Sequence, residues 1–322
     1  MWWSSVKSRV VLAGVIGCGW TGLLAAAPLL NEPVLPVPVC AGVNADKSLL
    51  GKRLFHDFRL SMNNTMSCAT CHPLDQWGMD GLSRNVRADD SRATMHTPTV
   101  YNAAFNIAQF WNGRAITLEE QVDEAVRVDL GSNWNDVVRK LSLDADYRQD
   151  FARLYRGGIQ AVNIRDALAT FERSLITPNS RFDRYLRGEE EALTRQEKQG
   201  YALFKGLGCV SCHQGINLGG NLFHRFGLLQ RIGPEGTDDE SGELDRFAFT
   251  RNPEDQGVFK VPGLRNVART APYFHHGQVA TLEEAVTLMA RGQLGRRLTM
   301  GERDLLVAFL RSLDGMPGGE CP

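Results

Sequence analysis

The 322-residue chain is 43% hydrophobic and 23% charged, the composition of a folded globular protein, and it is long enough for two ordinary domains. Its formal net charge of -1 lacks the basic excess that phosphate-backbone binding shows, so no nucleic-acid partner is expected.

The chain opens on "MWWSSVKSRVVLAGVIGCGWTGLLAAAPLL", with Lys7 and Arg9, then a charge-free apolar run, then Ala25, Ala26 and Ala27. That is the layout of a secretory signal covering residues 1–27 and cleaved after the alanines. The run at residues 10–30 is also long enough for an uncleaved membrane anchor, and "VIGC" would make Cys18 the lipid-bearing residue of a lipoprotein. All three alternatives place the body of the protein outside the cytoplasm. An oxidising compartment permits Cys40 and Cys321, near the two ends of the mature chain, to pair as a disulfide.

The four cysteines at Cys68, Cys71, Cys209 and Cys212 sit in "CATCH" and "CVSCH". Cys-x-x-Cys-His is the attachment signal of c-type haem: the thiols add to the vinyl groups, and His72 and His213 are held against the iron. A zinc site would need four ligands, and no further Cys pair completes one. Two covalently bound haems are therefore expected.

The remainder reads as mainly α-helical. Thr-x-x-Glu runs at residues 117, 194, 281 and 299 are capping-box starts, and Leu305, Leu306, Phe309 and Leu313 recur at helical spacing. Long strands are hard to find, and Gly-rich loops such as "GINLGGN" join the helices. "PTVYNAAFNIAQFWNGRAITLEEQV" (98–122) aligns without gaps on "PGLRNVARTAPYFHHGQVATLEEAV" (262–286), each copy downstream of its own haem motif. This predicts two duplicated haem domains, at 28–185 and 186–322.

The repeat also predicts that the two irons differ. Met289, on the helix that starts at Thr281, is the candidate sixth ligand of the second haem, where a thioether raises the reduction potential; core filler is its plainer reading. Its counterpart in the first copy is Ala125. Met79, Met95 and His96 lie in no distinctive setting, and His96 reads better as a surface or hydrogen-bonding residue, which leaves the first haem open on one face. An open haem that cleaves peroxide needs an acid or base and a route for a second electron. "FWNGRAITLEEQVDEAVRVDLG" offers Trp111 as an oxidisable aromatic, with Gln121, Glu119, Glu120, Glu124 and Asp129 as polar groups. Glu119, Glu120 and Glu124 equally fit a capped, solvated helix face, and Trp111 fits a core.

"LGKRLFHDFRLS", "PTVYNAAFNIAQFWNGRA", "CVSCHQGINLGGNLFHRFGLL", "VPGLRNVARTAPYFHHGQVATLEEAV" and "MARGQLG" together resemble the bacterial di-haem cytochrome c peroxidases, a family that includes the MauG-like enzymes. The resemblance runs over most of the mature chain and implies two cytochrome c-like domains. It implies that Trp111 lies between the haems, that Met289 ligates the electron-donating haem where MauG-like members carry tyrosine, and that Gln121 belongs to the peroxide pocket. The family's catalytic glutamate corresponds to Asp129, one methylene shorter, and the removable histidine of many members corresponds to Ala88. The family's inter-haem calcium uses an asparagine and two backbone carbonyls; Thr270 and Pro272 match the carbonyls, whereas His96 replaces the asparagine.

The expected function is periplasmic reduction of hydrogen peroxide to water, with electrons from a small cytochrome c or a cupredoxin and with a homodimer as one state of the chain. Two rivals stand beside it: a MauG-like oxidase acting on a side chain of a protein substrate, and a non-catalytic di-haem electron carrier.

Overall fold

Short polar residues start most of the helices by accepting a hydrogen bond from the open first turn. The computed structural model describes residues 32–230, 232 and 244–318. Among these, eleven α-helices are α1 (Ala45–Phe55), α2 (Cys68–Cys71), α3 (Leu118–Val128), α4 (Trp134–Ser142), α5 (Ala145–Leu154), α6 (Ala161–Ser174), α7 (Arg181–Leu186), α8 (Arg195–Gly206), α9 (Phe247–Thr250), α10 (Leu282–Leu294) and α11 (Met300–Arg311). The one sheet among the described residues is an antiparallel pair, β1 (Phe223–Arg225) with β2 (Val258–Lys260). The mainly helical class expected from the sequence is observed.

Reciprocal capping boxes form at Thr117, Thr194 and Thr299 as expected, whereas at Thr281 the hydroxyl accepts from the Glu284 amide without a return bond. Asn44, Asn133, Asp144 and Ser180 cap further helices that the Thr-x-x-Glu pattern did not mark. The predicted signal or anchor, Cys18 and Cys321 lie outside the described residues. Cys40 is disulfide-bonded. No helix among the described residues is long and apolar enough to cross a membrane.

Two cores form. Leu54, Phe55, Val137, Leu141, Phe151 and Leu168 belong to the first, built from α1 and α3 to α6. Phe182, Tyr201, Phe204, Leu306 and Phe309 belong to the second, built from α7, α8, α10 and α11, which Val34 also joins. Each core has one close helix crossing made possible by a glycine. A Cβ on Gly51 of α1 would lie 2.0 Å from the Ala167 carbonyl oxygen of α6, and one on Gly200 of α8 would lie 2.0 Å from the Leu305 carbonyl oxygen of α11. No side chain fits at either point, so the two crossings share one register.

The repeated segments also share a backbone. Asn102 and Asn266 take positive φ (61° and 58°), as do Phe110 and Phe274 (64° and 68°). The bridges Gln109 to Ala115 and Tyr273 to Val279 close the same loop in each copy. Both asparagine amides donate to the single hydroxyl of Thr177, at 2.7 Å from Asn102 and 2.9 Å from Asn266. Thr177 thus ties the two copies to the connector between the cores. Asp183, on α7, is fully buried against Arg265 and accepts from the Val37 amide as well. Thr177→Val keeps the shape but leaves two buried amides without an acceptor, and should lower unfolding free energy by about 1–3 kcal/mol in a urea titration of the holoprotein. An unchanged midpoint would remove Thr177 from this role.

Candidate functional site

The haem motifs occupy short turns that place both thiols and the histidine on one wall. In α2 the Cys68 and Cys71 side chains lie one turn apart, and His72 donates its backbone N–H to the Cys68 carbonyl at 2.9 Å. His213 makes the same 2.9 Å bond to Cys209. Each ring then uses Nδ1 on a carbonyl, His72 on Gly78 at 2.9 Å and His213 on Leu218 at 3.1 Å. A carbonyl only accepts, so Nδ1 carries the proton and the Nε2 lone pair is left for a metal. Burial pushes both imidazoles toward the neutral form, His213 to about 4.

The same burial keeps the sulfurs as thiols, with Cys71 and Cys209 both pushed up to about 11. Among the described residues no cluster of three His, Cys, Asp or Glu side chains suits a metal ion.

Each histidine faces a cavity, of about 170 Å³ at His72 and about 280 Å³ at His213. α3 and α10 line these two cavities, and they match position by position. Leu118, Gln121, Val122, Ala125, Val126 and Asp129 line the first cavity; Leu282, Ala285, Val286, Met289, Ala290 and Gln293 line the second. Three positions differ in chemistry. Gln121 stands where the second cavity has Ala285, Ala125 where it has Met289, and Asp129 where it has Gln293. The second cavity therefore presents a thioether to a bound haem, and the first presents a small apolar gap flanked by an amide and a carboxylate.

The polar groups are set for use. Gln121 Oε1 is buried without a hydrogen-bond partner. Asp129 Oδ1 accepts from Arg87 Nε at 3.1 Å, and its backbone carbonyl accepts from the Ala88 amide at 3.0 Å. Trp111 lines both cavities, donates Nε1–H to the His96 carbonyl at 2.8 Å, and meets the His275 ring edge-on at 6.3 Å between centroids. Lys260 lines the second cavity, and burial pushes its ammonium down to about 8. No carboxylate pairs with it among the described residues, so the anionic propionate of a haem fits there.

Other sequence candidates resolve differently. Glu120 caps α3, Glu119 pairs with Arg173 at 2.8 Å and Glu124 pairs with Arg114; none lines the cavity. His96 is buried and hydrogen-bonded, with Nδ1 at 2.7 Å from the Leu82 carbonyl. Met95 lines the first cavity, whereas Met79 and Ala88 are buried away from it. Thr270 and Pro272 line the second cavity. Sequence reasoning missed Arg87, Lys260 and Glu172, which lines the first cavity from α6.

The family model described as di-haem cytochrome c peroxidase matches residues 45–191. The cytochrome c551 peroxidase of Nitrosomonas europaea is 38% identical over 95% of this chain and 92% of its own length. The chain belongs to the di-haem cytochrome c peroxidase family. The cytochrome c peroxidase Ccp of Escherichia coli is 44% identical over 89% of this chain, which spans 62% of that protein's length. Among solved structures, a MauG-like protein associated with microbial copper homeostasis superposes with a TM-score of 0.74 at 28% identity, covering 93% of this chain and 96% of that one. Peroxidase-named relatives at this identity support a peroxidase oxidoreductase, and family membership implies haem cofactors.

Proposed function

We propose that this protein reduces hydrogen peroxide to water at the Cys68/Cys71/His72 haem, fed by electrons through the Cys209/Cys212/His213/Met289 haem. The observation that carries the reading is the contrast between α3 and α10: Gln121, Ala125 and Asp129 against Ala285, Met289 and Gln293. A haem held by Cys68, Cys71 and His72 would supply the iron chemistry for breaking the peroxide O–O bond.

The chain's own residues do the rest. The unpartnered Gln121 Oε1 accepts a hydrogen bond from the bound peroxide and orients it. Asp129, anchored by Arg87, takes a proton from the near oxygen and returns it to the leaving one, so that water departs in place of hydroxide. Trp111, which borders both cavities, passes electrons between them. The overall reaction is H2O2 plus two electrons and two protons giving two waters. The electrons come from a small cytochrome c or a cupredoxin.

Covalent attachment of both haems follows from the four thiols beside the two neutral imidazoles. Two cytochrome c-like domains related by duplication are supported by the shared helix crossings, by the matching loops and by Thr177. The boundary then belongs at the 175–180 connector, a few residues before 186, because Phe182 and Leu186 pack in the second core. Export to the periplasm rests on the N-terminal sequence. The Cys40–Cys321 pairing is favoured by Val37 and Gly318, which dock on Asp183 and Ile176 of the same stretch. A homodimer remains part of the proposal on resemblance alone. Calcium has poor support: beside Thr270 and Pro272 the donor is the His96 imidazole, and hard calcium favours oxygen.

The MauG-like alternative keeps one specific support, the superposition on a MauG-like protein together with Asp129 and Ala88 where many peroxidases carry glutamate and histidine. Its discriminating residue is Met289, which favours the peroxidase branch. The test is turnover of peroxide by the holoprotein with a reduced small c-type cytochrome. Rapid, stoichiometric oxidation of two cytochromes per peroxide supports the reading. Slow turnover with an oxidised side chain appearing on an added protein substrate supports the MauG-like one, and no response to peroxide supports the electron carrier.

A further inference from the structure

The shared helix crossing gives a register for α6 and α11 that the sequence repeat does not cover. A Cβ on Gly51 would meet the Ala167 carbonyl and Phe171 Cβ, and one on Gly200 would meet the Leu305 carbonyl and Phe309 Cβ. Ala167 thus corresponds to Leu305, Phe171 to Phe309, and Glu172 to Leu310. Both last residues line their cavities. One domain places a carboxyl at the inner edge of its haem cavity where the other places an apolar side chain.

Glu172 is 4% exposed, and no hydrogen bond or ion pair reaches its carboxyl among the described residues. The groups that act on it are few. Arg173 on its own helix favours the charged form, Glu119 on α3 opposes it, and from α2 the thiol of Cys68 interacts with it. From α1 the packing is apolar, with Phe55 on the same cavity. Cys71, His72, Arg87, His96, Arg114 and Asp129 complete the cavity's titratable and charged groups, and the arginines are already paired to Asp129 and Glu124. Burial outweighs these charges and pushes the carboxyl up to about 8, so that it holds a proton near neutrality.

A charge change on an iron held by His72 would act on this buried carboxyl, which lines the same cavity, more strongly than it would in water. We infer that Glu172 is the proton-exchanging group of the first haem, giving up its proton when the iron there loses an electron and regaining it when the electron returns. The step balances as reduced iron plus carboxylic acid giving oxidised iron, carboxylate, one proton and one electron. The electron passes to or from the small redox protein, or to an electrode. Leu310 puts no carboxyl at the matching position of the second cavity, so the second haem lacks this carboxyl-linked coupling and answers only to its own groups, Lys260 among them. The inference rests on haem attachment at Cys68 and Cys71, as proposed above.

The experiment is a spectroelectrochemical titration of the holoprotein from pH 5 to pH 9, following the two haems separately. The first haem's potential should fall with rising pH by up to about 59 mV per unit, the value for one proton per electron. The second haem's pH response, whatever Lys260 contributes to it, should be the same in the wild type and in the Glu172 variants. Glu172→Gln and Glu172→Leu, the latter copying the second domain, should flatten the first haem's slope, while Asp129→Asn should keep it. A slope retained in both Glu172 variants, or a flat wild-type slope in a protein that carries two haems and turns over peroxide, overturns this inference alone. Failure to find a covalent haem at Cys68 and Cys71 overturns it together with the peroxidase reading.

Discussion

Ala125→Met should close the first haem's open face and reduce peroxide turnover to background. Ala125 lies on α3 at the position Met289 holds on α10, and both line their cavities among the same apolar neighbours, Leu118 and Val122 against Leu282 and Val286. Methionine is a good helix former, so the substitution does not oppose the helix itself. In the proposed arrangement its thioether would take the place beside His72 that Met289 would take beside His213. The expected optical signature is conversion of all haem to the low-spin form, accompanied by loss of the peroxide-induced spectral change. Turnover at the wild-type rate would show that α3 does not face the ligand position.

The second large effect is expected at Asp129. Asp129→Asn preserves an oxygen for the Arg87 bond, and the backbone link to Ala88 is untouched. It removes only the basic carboxylate. If that group moves the proton between the peroxide oxygens, kcat should fall about 10²–10⁴-fold, the usual contribution of a positioned acid or base. Peroxide binding, read from the rapid spectral change before donor oxidation, should persist. Asp129→Glu should recover activity, since the longer side chain restores the family's reach. A fully active Asn variant would hand the role to another group of the cavity, with Gln121 next to be tested.

The sites were legible wherever chemistry is local in sequence. Each Cys-x-x-Cys-His run puts two thiols and a histidine on one cavity, the gapless repeat paired Met289 with Ala125, and the family resemblance implied the position of Trp111, which lines both cavities. Three of the four Thr-x-x-Glu starts form the expected reciprocal cap. What stayed hidden depends on contacts across the chain. Arg87 reaches Asp129 across 42 residues, and no local pattern marks that pair. Glu172, beside Arg173 in "ATFERSL", reads as one member of a solvated charge pair. Only the crossing of α1 on α6 turns it inward. Lys260 on a short strand next to Val261 is equally ordinary until β2 places it against the second cavity. Thr177 has no signal of its own, because its importance lies in two asparagines that approach it from separate halves.

The central claim is that the two irons have unlike far faces, one open beside Ala125 and one closed by Met289. Electron paramagnetic resonance tests it most directly, recorded first on the fully oxidised holoprotein and then, with the second haem reduced, before and after one equivalent of peroxide is added. The account predicts one low-spin His/Met haem and one haem with an exchangeable or vacant sixth position, and only the latter responds to peroxide. Two low-spin haems that keep both axial ligands and ignore peroxide in every redox state would contradict it.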